Sequence, residues 1–202
     1  MGDRSPIFQR VGTQTFVATP AAGGPWSEGY CHGGAPAALL ASALEGVVAS
    51  VPMDMARLTV DLMQAVPLDQ EVRVEVRQVR QGRTVQRVVA DLLAAGRMVA
   101  RATALKVRSR DAQVDGLPAA APPSGQPMPM PGSFSEQFTI LAVQGSFGEP
   151  GPASAWFRLN VQLIAGEDAS PLSRAVAAQI SAAVWRMSLP STPGPFPRWT
   201  CT

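Results

Sequence analysis

The residues best placed to do chemistry are His32, Gly33 and Gly34, where a glycine-punctuated stretch turns into a run of Ala and Leu. A helix starting there offers unpaired backbone N–H groups and the positive end of its dipole. The glycines would let a carbonyl come close to those donors, an arrangement that can stabilise the oxyanion of a tetrahedral intermediate. The plainer alternative is that the glycines only make a tight strand-to-helix turn and that His32 is a packed or surface residue. His32 is the single histidine, and no Gly-x-Ser-x-Gly is present, which argues against a Ser-His-Asp triad. Cys31 adjoins His32, but neighbours on an extended stretch point to opposite faces, so a Cys-His dyad is geometrically poor. Trp26 and Tyr30 could line an apolar pocket, though filling core is the more ordinary use of such rings. Cys31 and Cys201 form no CxxC pair, and neither a disulfide framework, a zinc site nor a cofactor is implied.

The elements that must position these residues are readable in outline. Gln14 to Ala18 suggests a short strand, Pro20 to Pro25 a loop, and Trp26 to His32 an extended approach. From Ala35 to Val48 the sequence favours helix, with Leu40, Leu44, Val47 and Val48 spaced as one apolar stripe and Pro36 tolerated in the first turn. Apolar residues then alternate at Leu58, Val60 and Leu62, and again at Val72, Val74 and Val76. Gln81-Gly82-Arg83 reads as a hairpin turn, Val85 to Leu93 as the returning strand, Gly96 as the next turn and Met98 to Val107 as another strand. One helix followed by four long strands joined by short hairpins predicts an α+β unit, a helix laid on an antiparallel sheet. Residues 116–136 read as a Pro/Gly-rich linker. Beyond it, Gln137 to Val143 and Ala155 to Ile164 suggest strands, and Ser170 and Pro171 an N-cap and first position of a second helix.

Bulk properties narrow the function classes. A net charge of +2 with 16% charged residues gives no block of like charge. The run from Arg73 to Arg87 is interleaved with Val and Glu and reads as the solvated face of strands rather than a nucleic-acid patch. No uninterrupted apolar stretch is long enough for a membrane span, no signal peptide is evident, and a cytoplasmic location is the default expectation.

Several segments resemble the acyl-CoA thioesterase II family. They are Gly24-Pro25-Trp26, Gly29 through Leu40, Arg57-Leu58-Thr59-Val60-Asp61-Leu62, Gly96 through Ala104, Trp156-Phe157-Arg158-Leu159 and Ser170 through Arg174; their order and spacing carry the likeness. The resemblance implies a double hot-dog fold, with two helices each cradled by an antiparallel sheet. Residues 1–115 would be the first hot-dog, 137–178 a partial second repeat, and 179–202 an atypical tail. It also implies hydrolysis of acyl-CoA, or another acyl thioester, to a free fatty acid and CoA. Trp26, His32, Gly33 and Gly34 are then the candidate substrate-binding residues.

The same resemblance places the family's catalytic Asp on the second helix, with a Ser/Thr and a Gln on later strands. Gln179-Ile180-Ser181-Ala182-Ala183-Val184 carries no carboxylate. Single-domain hot-dog thioesterases have a carboxylate about nine positions after their His, where Ala41 stands here; Glu45, a turn later, reads as a helix-surface charge. No catalytic residue is therefore assigned, and this chain is expected to be impaired. Codons can be chosen for Ala178 to Thr202 that hide an Asp-Phe and an aromatic strand in another frame, so a frameshifted or truncated tail is a further expectation. The alternatives are a non-catalytic acyl or acyl-CoA binding protein, or a subunit paired with an intact homologue; a homo-oligomer is expected.

Overall fold

The computed structural model describes residues 5–110, 124–145 and 152–187, with side chains of the last helix to residue 182. The first unit comprises β1 (Phe8–Arg10), β2 (Thr15–Ala18), helix α1 (Gly34–Glu45), β3 (Met53–Leu62), β4 (Glu71–Gln81), β5 (Val85–Ala94) and β6 (Arg97–Arg108). Its sheet is antiparallel in the order β1-β2-β4-β5-β6-β3. This is the helix-on-sheet architecture of a hot-dog, as expected. Period-two alternation assigns Val72 and Val74, then Val88, Ala90 and Leu92, then Ala100, Ala102 and Ala104 to the buried face. The alanines let α1 lie close to the sheet. The turn between β5 and β6 has Ala95 at φ 48° and Gly96 at φ 74°, two positive values in succession, which suits the twist of a tight hairpin.

Two expectations are corrected here. The strands are not all joined by hairpins: β3 pairs with β6 at the sheet edge, and the chain crosses the sheet end to reach β4. Met63 and Gln64 both donate to the Val99 carbonyl at 3.0 Å, which holds this crossing against β6. The helix is also shorter than expected, ending at Glu45 rather than Val48, and Val48 is 85% exposed. Lys106 explains the stop. Its ammonium reaches the Glu45 carbonyl at 3.1 Å and the Val47 carbonyl at 2.9 Å, and the Gln86 amide reaches the Val48 carbonyl at 3.3 Å. A cation on the last carbonyls of a helix satisfies both hydrogen bonding and dipole. Burial pulls the Lys106 pKa down while the Glu45 charge opposes it.

Helix α1 is buried on more than one stripe. Leu39, Leu40 and Leu44 pack into the main core with the sheet, whereas Ala37 and Ala41 meet Val176 on the second helix. That helix, α2 (Pro171–Met187), follows β7 (Gln126–Pro127), β8 (Phe138–Gln144) and β9 (Ser154–Leu159), which form a three-stranded antiparallel sheet in that order. Ser170 is its N-cap, as read from sequence: the Ser173 amide donates to Ser170 Oγ at 3.0 Å.

Besides this helix packing, several contacts join the two halves. Backbone bonds link Ile7 and Phe8 to the carbonyls of Gln162 and Leu163. An aromatic series runs from His32 through Phe134 and Phe138 to Phe157. Glu45 accepts hydrogen bonds from the hydroxyls of Ser170 and Ser173. Within the stretch read as linker, β7 pairs with β8 and Met130 and Phe134 are buried. Helix α2 continues past residue 178; the rest of the tail, 188–202, lies outside the described residues, and with it most of the frameshift expectation.

Candidate functional site at the start of the first helix

The chain approaches α1 through a pinned turn, not the extended segment expected. Gly29 sits at φ 80°, a left-handed conformation that suits glycine. The Gly24 amide donates to the Tyr30 carbonyl at 3.1 Å, Cys31 to Val66 at 2.8 Å and His32 to Ala22 at 2.8 Å. These bonds fix the direction in which His32, Gly33 and Gly34 enter the helix.

His32 is fully buried. Its ring stacks on Phe134 with centroids 4.9 Å apart. Nδ1 accepts a hydrogen bond from the Gly34 amide at 3.0 Å, so the neutral ring carries its proton on Nε2. Nε2 has no partner among the described residues. Burial lowers the pKa from 6.5 to about 4, because the imidazolium would lose its hydration. At neutral pH His32 is an uncharged ring serving as an internal cap for Gly34.

That cap decides how many donors the helix end retains. The Gly34 amide is spent on His32 Nδ1, Ala35 on the His32 carbonyl at 3.0 Å, and Ala37 on the Gly33 carbonyl at 3.2 Å. Pro36 has no N–H. Gly33 is left as the one amide of this turn with no acceptor among the described residues. The two glycines also differ in surroundings. A Cβ on Gly34 would lie 2.7 Å from the Phe134 ring and 3.0 Å from the Ala177 carbonyl of α2, so this position is closed by packing. A Cβ on Gly33 would meet the tip of Leu62 at 2.8 Å and Ile180 at 3.8 Å. The tight-turn reading therefore accounts for Gly34, and the donor reading survives at Gly33.

Around this end of the sheet several large apolar side chains stay exposed. Trp26 is 59% exposed, Met63 47%, Tyr30 and Leu62 43%, and Met98 37%. Trp26 and Tyr30 thus do not fill core, as expected of them; the tight turn at Gly29 holds their loop at the surface. Tyr30 bridges Pro67 and Leu62 reaches Gly33. The structure so brings His32, Gly33 and Gly34 together at the helix start, with Trp26 in the loop before it. Leu62, Met63 and Met98 were missed; alternation alone assigned Leu62 and Met98 to strands without showing that strand ends stay uncovered.

The other chemical candidates lead elsewhere. Cys31 contacts the Pro67 carbonyl at 3.7 Å; burial, with the Asp69 charge adding to it, pushes its pKa up to about 12. Such a thiol stays protonated and is a poor nucleophile. Ala41 is buried against α2, with neither a carboxylate nor room for one. Glu45 is no simple surface charge, since two serines of the second half hold it. Among the described residues no cluster of His, Cys, Asp and Glu could hold a metal ion. A cavity of about 340 Å³ between the second half of α1 and β2–β4 is lined by Phe16, Leu39, Ala43, Val74 and Val76. It touches none of the four predicted binding residues.

Residues 22–107 match the acyl-CoA thioesterase N-terminal domain. The match runs from the loop before α1 almost to the end of β6, and the family resemblance read from sequence is borne out there. A conserved hot-dog protein of unknown function from Alicyclobacillus acidocaldarius superposes with a TM-score of 0.65 at 15% identity, covering 93% of this chain and 72% of that one. A proposed thioesterase from Novosphingobium aromaticivorans gives 0.59 at 21% identity, with 92% and 76% covered. The tesB protein of Mycobacterium avium subs paratuberculosis gives 0.57 at 16% identity, with 89% and 70% covered. At these identities the structures establish the hot-dog fold. No curated protein matches significantly. No helix among the described residues is long and apolar enough to cross a membrane.

Proposed function

We propose that this acyl-CoA thioesterase-type protein takes up an acyl-CoA or another acyl thioester at the start of α1, and that its hydrolysis to fatty acid and CoA is impaired in this chain. The observation that carries the reading is the unspent Gly33 amide at a helix N-terminus beside exposed Leu62, Met63 and Met98. A thioester carbonyl would accept from Gly33, and the acyl chain would cover the neighbouring apolar surface. Impairment follows from what surrounds that amide. One donor stabilises an oxyanion less than a set of converging donors. His32 is neutral with Nδ1 occupied, so it cannot serve as a base from that atom. The closest helix carboxylate, Glu45, is bound to Ser170 and Ser173 at the far end of α1. Activating water needs a base within hydrogen-bond reach, and the described part of this site offers none.

The test pairs turnover with binding on the purified full chain. Acyl-CoAs of increasing chain length are followed by chromatographic detection of free CoA, and by the rise in melting temperature that a ligand of the native state produces. Stabilisation by acyl-CoA with slow CoA release, both reduced in Leu62→Asp, is the expected result. Stabilisation with no release at all would move the chain to the non-catalytic binding reading. Absence of both would refute the site.

A further inference from the structure

The outer face of the first sheet carries two charge rows of opposite character, separated by the row of Arg77, Val89, Thr103 and Thr59. In the first, Glu75, Asp91, Arg101 and Asp61 are register partners across β4, β5, β6 and β3. The row is balanced: Arg101 binds both oxygens of Asp91 at 2.5 and 2.8 Å, Arg77 approaches Asp91 at 4.0 Å, and Arg73 pairs with Glu75. The second row lies toward the β4–β5 turn. There Arg80 pairs with Arg87, Arg87 with Leu105, and Leu105 with Arg57. All three arginines are exposed, and none has a carboxylate within ion-pair distance among the described residues. Arg83 in the turn is likewise exposed and unpaired. Asp54 is the one carboxylate on the next register position, opposite Val107, and it makes no ion pair there either.

Like charges directly opposite one another destabilise a sheet, so Arg80 facing Arg87 is a cost that a counter-charge would remove. We propose that this row is a docking surface for an acidic protein helix. Strand spacing of about 4.8 Å spreads the three arginines over roughly 14 Å. Carboxylates at i and i+4 of a helix are about 5–6 Å apart, which matches Arg80 beside Arg87, and a further turn or two brings another to Arg57. Leu105, half-buried between the cations, supplies an apolar centre of the kind found where arginine-rich interfaces pack. A small phosphate ligand fits less well, because neither the cavity beside α1 nor a second one lined by Glu45, Val47, Pro52 and Lys106 includes any of these arginines. A nucleic acid fits less well too: no aromatic side chain lies in the row to stack a base, and the chain's net charge is only +2. The surface is independent of the acyl-thioester reading.

The probe is a fluorescein-labelled, alanine-based helical peptide with glutamates at i, i+4 along one face, titrated with the full chain at low salt and read by anisotropy. Its glutamine counterpart and a single-stranded DNA oligonucleotide are the comparisons. Arg80→Glu with Arg87→Glu should weaken peptide binding at least tenfold, and Arg87→Gln alone about threefold. Arg158→Glu with Arg174→Glu, which removes the same charge elsewhere, should change it less than twofold. Circular dichroism and melting verify that each variant folds, and Arg87→Gln decides the matter where the double variant does not. No peptide binding, equal loss in the control pair, or tighter binding of the oligonucleotide overturns the proposal.

Discussion

Protonating His32 should cost this protein stability in a defined pH window. The ring is fully buried, stacked on Phe134, and accepts from Gly34 through Nδ1, so the fold accommodates its neutral form. The unfolded chain binds the proton more readily, with a pKa of 6.5 against about 4 when folded. The contribution is therefore complete above pH 6.5, declines as pH falls, and is exhausted near pH 4. At about 1.4 kcal/mol per pH unit, the whole window is worth roughly 3 kcal/mol, and lowering pH from 7.5 to 4.5 should remove about 2.5 kcal/mol through this residue. That is a large part of a stability that for most domains is only about 5–15 kcal/mol. Urea denaturation at both pH values measures it, with His32→Asn as reference: an amide oxygen can still accept from Gly34 but does not titrate in this range. Carboxylates such as Asp91, whose pKa the Arg101 hydrogen bond lowers, add their own acid sensitivity to both proteins, and the difference isolates His32. As the chain has one histidine, its Cε1 proton gives a single titrating signal in NMR. A midpoint near 6.5, or an equal pH dependence in the two proteins, would refute the buried, neutral ring.

Three more outcomes follow from particular contacts. Glu45→Ala should destabilise by about 2–3 kcal/mol, the order expected for removing hydrogen bonds to a charged group, with Glu45→Gln losing less; urea midpoints that coincide with the parent would show that the serine contacts carry nothing. Gly34→Ala should cost about 1–3 kcal/mol, because its Cβ meets the Phe134 ring and a backbone carbonyl. Gly33→Ala should cost less, since the tip of Leu62 can move, and the reverse order in a thermal melt would contradict the packing. In a Cys201→Ser background, Cys31 should react with a thiol reagent at pH 8 many times more slowly in the native state than in urea, as its pKa of about 12 requires; equal rates would mean that the thiol is neither buried nor raised.

Much of the first unit was legible in the sequence because its signals are local. Alternation over Val72 to Val76, the apolar run of Val85 to Leu93, hairpin punctuation at Gly82 and Gly96, and the Ala/Leu run after Gly34 each constrain a few neighbouring residues, and each became an element of the expected type. The Ser170 cap was readable for the same reason. Tertiary structure decided the rest, since it depended on what arrives from afar. Helix α1 stops at Glu45 because Lys106 and Gln86, remote in sequence, take the Glu45 carbonyl and the carbonyls of Val47 and Val48 just beyond it. Glu45 became a joint between halves because α2 begins beside it. Gly34 is closed and Gly33 open because Phe134 and Ala177 pack over one and only the tips of Leu62 and Ile180 reach the other. The sequence by itself specified a helix on an antiparallel sheet and the segment where chemistry could occur. Only the folded chain determined which amide of that segment remained free, because hydrogen-bond donors are spent by whatever acceptors packing brings within reach.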